Sequence, residues 1–237
     1  MYDDLEGTFK WKIGYTGYQG AVRKVAVNVY NGSASLQIAA GWDGVGLYWH
    51  ATANRIFPIS PIKILSFSCF FRPSFYIAST RLDFLIEIDD GTWDYYFRIT
   101  YRNTTGKWYY LNKAGSDVLL GDGLVRPAAG AWGRIEFVCD LKSWAYGIVQ
   151  ISSRVVDLRG VPCYKYSSGG TPFALVRLDV SHSAPAPPTG SPDDCFYDDV
   201  FIREELLDHV QRLRLEKMAA LDCCFFGLAG GFDTVVA

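Results

Sequence analysis

The stretch Phe196-Tyr197-Asp198-Asp199-Val200-Phe201-Ile202, read together with Asp3-Asp4-Leu5-Glu6-Gly7 and the Trp11 just behind it, decides the fold. These two acidic clusters bracket a region of short segments in which apolar and polar residues alternate, separated by Gly, Pro, Asn and Asp. A period of two puts every second side chain on one face, so each segment reads as a strand with one face in a core. The pattern predicts an antiparallel β-sandwich whose first and last strands come together.

Working outward, Val25 to Val29 and Ser33 to Ala39 flank Tyr30-Asn31-Gly32, where the Asn-Gly pair readily takes the positive φ angles of a tight hairpin. Gly46 to Ala53 comes next. Ile64 to Phe71 is almost continuously apolar and suits a strand buried on both faces. Leu82 to Asp89 and Tyr95 to Tyr101 join through Asp90-Gly91-Thr92, a second hairpin signal. Lys107 to Leu111 pairs with Val118 to Leu120, and Ala131 to Asp140 pairs with Tyr146 to Ser152 across Leu141-Lys142-Ser143-Trp144. A short strand over Val155 to Gly160 ends in a turn. Phe173 to Val180 and Cys195 to Ile202 complete about a dozen strands, separated by the proline-rich surface loop Ala184 to Gly190.

After Ile202 the period changes. Arg203 to Leu221 places Leu206, Val210 and Leu213 on one face, without Gly or Pro, which predicts an amphipathic helix. The tail that follows is apolar and contains Phe225 and Phe226. A stripe this short does not hold a helix alone in water, so it must pack on the sandwich or on copies of itself. The expected organisation is a sandwich over 1–202 and an oligomerisation or docking element over 203–237.

At 237 residues the chain is long enough for one large all-β domain, and its net charge of −2 gives no basic surplus to hold a phosphate backbone. Nucleic acid is therefore not an expected partner. No stretch reaches the roughly 20 apolar residues of a membrane helix. Met1-Tyr2-Asp3-Asp4 does not begin a basic-then-apolar leader, so synthesis in a cytoplasm is expected. Six cysteines show no CxxC pair and no histidine at metal-ligand spacing, which argues against zinc. Cys69 and Cys139 read as small core residues, and a Cys163–Cys195 disulfide has no support.

The order Asp-Asp-Leu-Glu-Gly then Trp11, Tyr30-Asn31-Gly32-Ser33-Ala34-Ser35-Leu36, Trp132 opening an Arg-Ile-Glu-Phe strand, and Tyr197-Asp198-Asp199-Val200 resembles carbohydrate-binding jelly rolls and the related laminin-G or concanavalin-like sandwiches. It covers about residues 3 to 202. The resemblance implies an all-β, antiparallel jelly roll, of a kind also found in tail, fibre and decoration proteins of bacterial viruses. It further implies a structural calcium at Asp4, Glu6 and Asp198, with Asp3 a weaker ligand, because a hard cation collects carboxylate and carbonyl oxygens. The plainer reading of the same residues is that Asp3 and Asp4 form a turn while Asp198 and Asp199 alternate as buried and exposed.

Glu87-Ile88-Asp89 resembles the start of the Glu-x-Asp-x-x-Glu motif of laminarinase-type glycosidases, since residues two apart on a strand share a face. Thr92 stands where the second catalytic Glu belongs, and retaining hydrolysis needs both carboxyls. A lyase would have to use His50 and Tyr48. The expectation is a protein that is not an enzyme. Aromatic residues make up 16% of the chain. As a glycan-binding module it would stack sugars on Trp42, Trp49, Trp93, Tyr95 and Trp108. As a virion subunit it would bury aromatics between copies of itself or against a capsid or tail. The second reading is preferred, with a cell-surface glycan as the partner under the first.

Overall fold

The described residues of the computed structural model are 2–3, 11–15, 21–40, 49–57, 64–74, 80–182 and 193–204, all within the compact unit Met1–Glu204. They form β1 (Tyr2–Asp3), β2 (Lys12–Tyr15), β3 (Ala21–Val25), β4 (Ser35–Ala40), β5 (Trp49–Phe57), β6 (Ile64–Ser74), β7 (Arg81–Asp89) and β8 (Trp93–Arg102). Then come β9 (Lys107–Leu111), β10 (Asp117–Leu119), β11 (Gly133–Asp140), β12 (Ala145–Ile151), β13 (Arg154–Asp157), β14 (Tyr164–Ser167), β15 (Phe173–His182) and β16 (Asp193–Glu204).

Two antiparallel sheets result. The first runs β13-β12-β11-β6-β16-β4-β3, with β1 also on β16; the second runs β10-β9-β8-β7-β15-β5-β2, with β14 also on β8. The predicted meeting of first and last strands is present, since Tyr2 pairs with Phe201 and Asp3 with Val200. Sheet neighbours far apart in sequence give the jelly-roll connectivity.

Inward positions of both sheets form one aromatic-rich core. Phe71 of the first sheet meets Phe84 and Trp108 of the second at ring-centroid distances of 5.4 and 5.9 Å, and Tyr197 meets Phe84 at 6.0 Å. Tyr146 crosses the sandwich. One edge of β8 pairs with β14 over Trp93 to Tyr96 and with β9 over Ile99 to Arg102, and in the gap between them the Arg98 amide donates to the Tyr146 hydroxyl at 2.9 Å. That hydroxyl in turn donates to the Leu111 carbonyl at 2.9 Å. A buried aromatic ring thereby also satisfies the break in a ladder.

The hairpin around Tyr30-Asn31-Gly32 is longer than expected, because β3 ends at Val25 and β4 begins at Ser35. The cause is Asp198, whose carboxylate accepts from the Tyr30 and Asn31 amides at 2.8 and 3.1 Å and draws them out of the β3–β4 ladder. Asp198 and Asp199 are both buried, not one in and one out, as β16 shifts register between Asp198 and Phe201 and Asp199 takes a φ of 46°. Strands β2 and β14 are additions to the sequence reading. Cys69, Cys139, Cys163 and Cys195 are free, buried thiols. The predicted helix and tail lie outside the described residues. Among the described residues no helix is long and apolar enough to cross a membrane.

Candidate functional site

Pairing in the second sheet lines up its outward side chains in rows. Thr52, Asp179, Asp83, Thr100 and Tyr109 form one, Asn54, Arg177, Leu85 and Arg98 a second, and His50, Ser181, Arg81, Arg102 and Lys107 a third. The alternate residues Phe84, Ile86, Phe97, Ile99, Val176 and Leu178 are in the core. Period-two alternation thus makes one face apolar and the other a continuous polar surface.

Two ionic clusters organise that surface. Asp117 accepts from Arg98 Nη2 at 2.6 Å and from Arg102, with Arg81 Nη1 at 3.6 Å. Burial pushes its carboxyl up, but the surrounding guanidiniums outweigh this and hold it below the usual range. Arg81 Nε donates to Asp83 Oδ2 at 2.8 Å, and Thr100 donates to Asp83 Oδ1 at 2.5 Å. In the other cluster Arg177 donates to Glu87 at 3.0 Å and to Asn54 Oδ1 at 2.9 Å, while the Tyr96 hydroxyl donates to Asp94 at 3.0 Å and bonds that of Tyr166 at 2.9 Å. Burial, and then the charge of Asp94, raise the Glu87 carboxyl, although Arg177 pulls it down. Between the clusters lies Asp179, raised to about 7 by burial and then by Asp83, against the arginines.

Some polar groups on this face lack a hydrogen-bond partner within the chain. Thr52 Oγ1, Asp94 Oδ1, Arg98 Nε, Asp179 Oδ1 and Ser181 Oγ are buried without a hydrogen-bond partner, half of the ten such side-chain atoms among the described residues. Buried donors and acceptors are normally satisfied by protein or by ordered water, and on this face several are left for a partner other than the chain itself. The sequence carries this face as Arg81-x-Asp83, Asp94-x-Tyr96-x-Arg98-x-Thr100-x-Arg102 and Arg177-x-Asp179-x-Ser181, polar alternations that aromatic content does not reveal.

The predicted glycan platform divides. Trp93 and Tyr95 come together, with Lys113, Ser143, Trp144, Pro162, Cys163 and Lys165, around a pocket of about 440 Å³. Trp108 is a correction: it is fully buried among Phe71, Phe84 and Tyr101 and cannot meet a sugar, because its position on β9 faces the core. Trp49 contributes its backbone to β5 opposite His182, and Trp42 lies outside the described residues.

Asp198 accepts three backbone amides, the third from Asp199 at 2.8 Å, and so staples the 26–34 loop to β16. Asp4 and Glu6 lie outside the described residues, as do Leu206, Val210, Leu213, Phe225 and Phe226. Among the described residues no group of three or more His, Cys, Asp or Glu is placed to hold a metal ion. Glu87 and Asp89 share β7, but Asp89 accepts from the Gly91 amide at 2.6 Å and from the Ser168 hydroxyl, and Asp90 accepts from the Thr92 and Trp93 amides at 2.8 Å. Gly91, at φ 93°, makes the turn; the Asp-Gly hairpin reading holds.

No family model matches the sequence, and no curated protein does. Solved structures do. The chain is similar to an endo-β-1,4-glucuronan lyase from the fungus Trichoderma reesei, at TM-score 0.62 and 16% identity over 88% of this chain and 96% of that one. It is similar to a Bacillus licheniformis β-glucanase at TM-score 0.52 and 13% identity, over 86% and 98% of the two chains. The potassium-bound carbohydrate recognition domain of Emp46p matches at TM-score 0.51 and 12% identity, over 86% and 95%. The chain is a concanavalin-like jelly-roll β-sandwich. Its structural neighbours are carbohydrate-binding and polysaccharide-active proteins, and at these identities the likeness is one of fold.

Proposed function

We propose that this chain is a non-enzymatic glycan-binding jelly roll whose contact surface is the polar face of the second sheet. The observation that carries this reading is the continuous polar face itself, built from the aligned outward side chains of β5, β15, β7, β8 and β9, where Thr52, Asp179 and Ser181 carry side-chain oxygens with no hydrogen-bond partner within the chain. Saccharide hydroxyls both donate and accept, and so match a mixed lining of carboxyl, guanidinium and hydroxyl groups. The carbohydrate-related neighbours support it as analogy of fold. Affinity electrophoresis of the full chain against β-glucan, glucuronan and mannan is expected to show retardation by at least one polymer. Thr52→Val and Ser181→Ala together should weaken it about tenfold, the effect of roughly 1.4 kcal/mol in lost hydrogen bonds. No retardation by any polymer contradicts the reading. So does release of reducing ends or unsaturated sugars that disappears in Glu87→Gln.

The setting we propose is a virus-like assembly, as a decoration, tail or fibre subunit. Its support is the stripe Leu206, Val210 and Leu213 with Phe225 and Phe226, together with the apolar tail. Truncation after residue 204 is expected to lower the solution mass from a defined oligomer toward the monomer, and an unchanged mass would sink this assignment. The calcium at Asp4, Glu6 and Asp198 stands as a proposal on the same footing.

A further inference from the structure

The pocket bounded by Trp93, Tyr95, Trp144, Lys113 and Lys165 lies off the polar face. Tyr95 and Trp93 have the inward parity of β8, and Trp144 comes from the turn between β11 and β12. Tyr95 and Trp144 stack in parallel, with centroids 3.5 Å apart and planes 5° apart. Trp144 does so from a φ of 52°, in a region that bulky residues avoid. The left-handed turn position brings the indole onto the Tyr95 ring.

Trp93 is 37% exposed, and the Lys165 ammonium lies 4.2 Å from its ring centroid and 5.9 Å from that of Tyr95. Lys113 and Ser143 also line the pocket. Among the described residues neither lysine has a carboxylate within salt-bridge distance. A neighbouring carboxylate, Asp90, is held by the Trp93 and Thr92 amides and the Tyr95 hydroxyl, and the Lys165 charge reaches it only at longer range. Burial pushes the Cys163 thiol up to about 12, so this wall is neutral and unreactive.

We propose that this pocket is a second saccharide site, selective for a pyranose that carries a carboxylate. A volume of about 440 Å³ falls within the range of small-ligand sites. One apolar ring face needs one aromatic platform, which the partly exposed Trp93 offers, and the positive charges of Lys113 and Lys165, neither in a salt bridge among the described residues, match a single carboxylate. A planar base would need a slot between parallel rings. Tyr95 and Trp144 have closed that slot on each other. This inference is independent of the polar face and stands or falls separately from it.

The test is tryptophan-fluorescence titration of the full chain with an oligogalacturonate and with its methyl ester, which keeps the sugar and removes the charge. The acid is expected to bind at least about tenfold more tightly than the ester, a difference of about 1.4 kcal/mol. Lys113→Met and Lys165→Met should each remove most of that preference, and Trp93→Ala should abolish binding of both forms, with circular dichroism unchanged. Equal affinity for acid and ester overturns the inference. So does acid binding that falls in the Thr52→Val, Ser181→Ala variant instead of in the lysine variants. Tighter binding of a nucleoside monophosphate than of the oligogalacturonate also overturns it.

Discussion

Asp198→Ala is expected to destabilise the sandwich by about 2–4 kcal/mol, read as a lower midpoint in urea unfolding at unchanged slope. The side chain has no exposed surface, and its carboxylate accepts from the amides of Tyr30, Asn31 and Asp199. Removing it leaves those donors without their acceptor at the point where β16 is already bulged. Asp198→Asn keeps one acceptor oxygen and should fall between parent and alanine variant. The same measurement reads the calcium proposal. If Asp4, Glu6 and Asp198 share the ion, a chelator lowers the parent's melting temperature by mass action and has no effect on Asp198→Ala. A parent curve indifferent to chelator and to added calcium rejects the ion, and an alanine variant as stable as the parent rejects the staple.

Asp179→Asn is expected to stabilise the protein at pH 8 by about 2–4 kcal/mol and to change little at pH 4. Burial and Asp83 lift this carboxyl from 3.8 to about 7 in the folded chain. Between those values the folded state keeps a proton that the unfolded state releases. Stability therefore falls as pH rises from about 4 to 7 and levels off above. Asparagine imitates the neutral acid and cannot ionise, so it removes this slope. Parallel pH–stability curves for parent and variant would show that Asp179 is ionised in the fold.

How far the fold was legible depends on what each signal requires. The Asp90-Gly91-Thr92 hairpin and the β11–β12 pair were readable because turn chemistry and alternation are both local. The long 26–34 loop was not. Its course is set by Asp198, some 170 positions away in sequence, and a contact of that range leaves no local mark. Strand β14 is four residues long and its pattern is too short to count. At the site, Trp93 and Tyr95 were found because an aromatic surplus draws attention, whereas Trp108 shows that aromatic identity does not reveal which face a residue takes. The polar face was written plainly in the alternating charges of β7, β8 and β15. Recognising it required knowing that these three strands lie side by side, which only the topology supplies.

The central claim, that the polar face of the second sheet holds a saccharide, is tested most directly by hydroxyl-radical footprinting of the full chain with and without a saturating polysaccharide from the electrophoresis panel. Tyr96, Tyr109, Tyr166 and His50, which share the polar face with Thr52, Asp179 and Ser181, are expected to be protected together, while Tyr30 and Phe70, stacked on the first sheet, keep their free-protein oxidation rates. Protection confined to Tyr30 and Phe70, or absent from the second sheet altogether, would contradict the account.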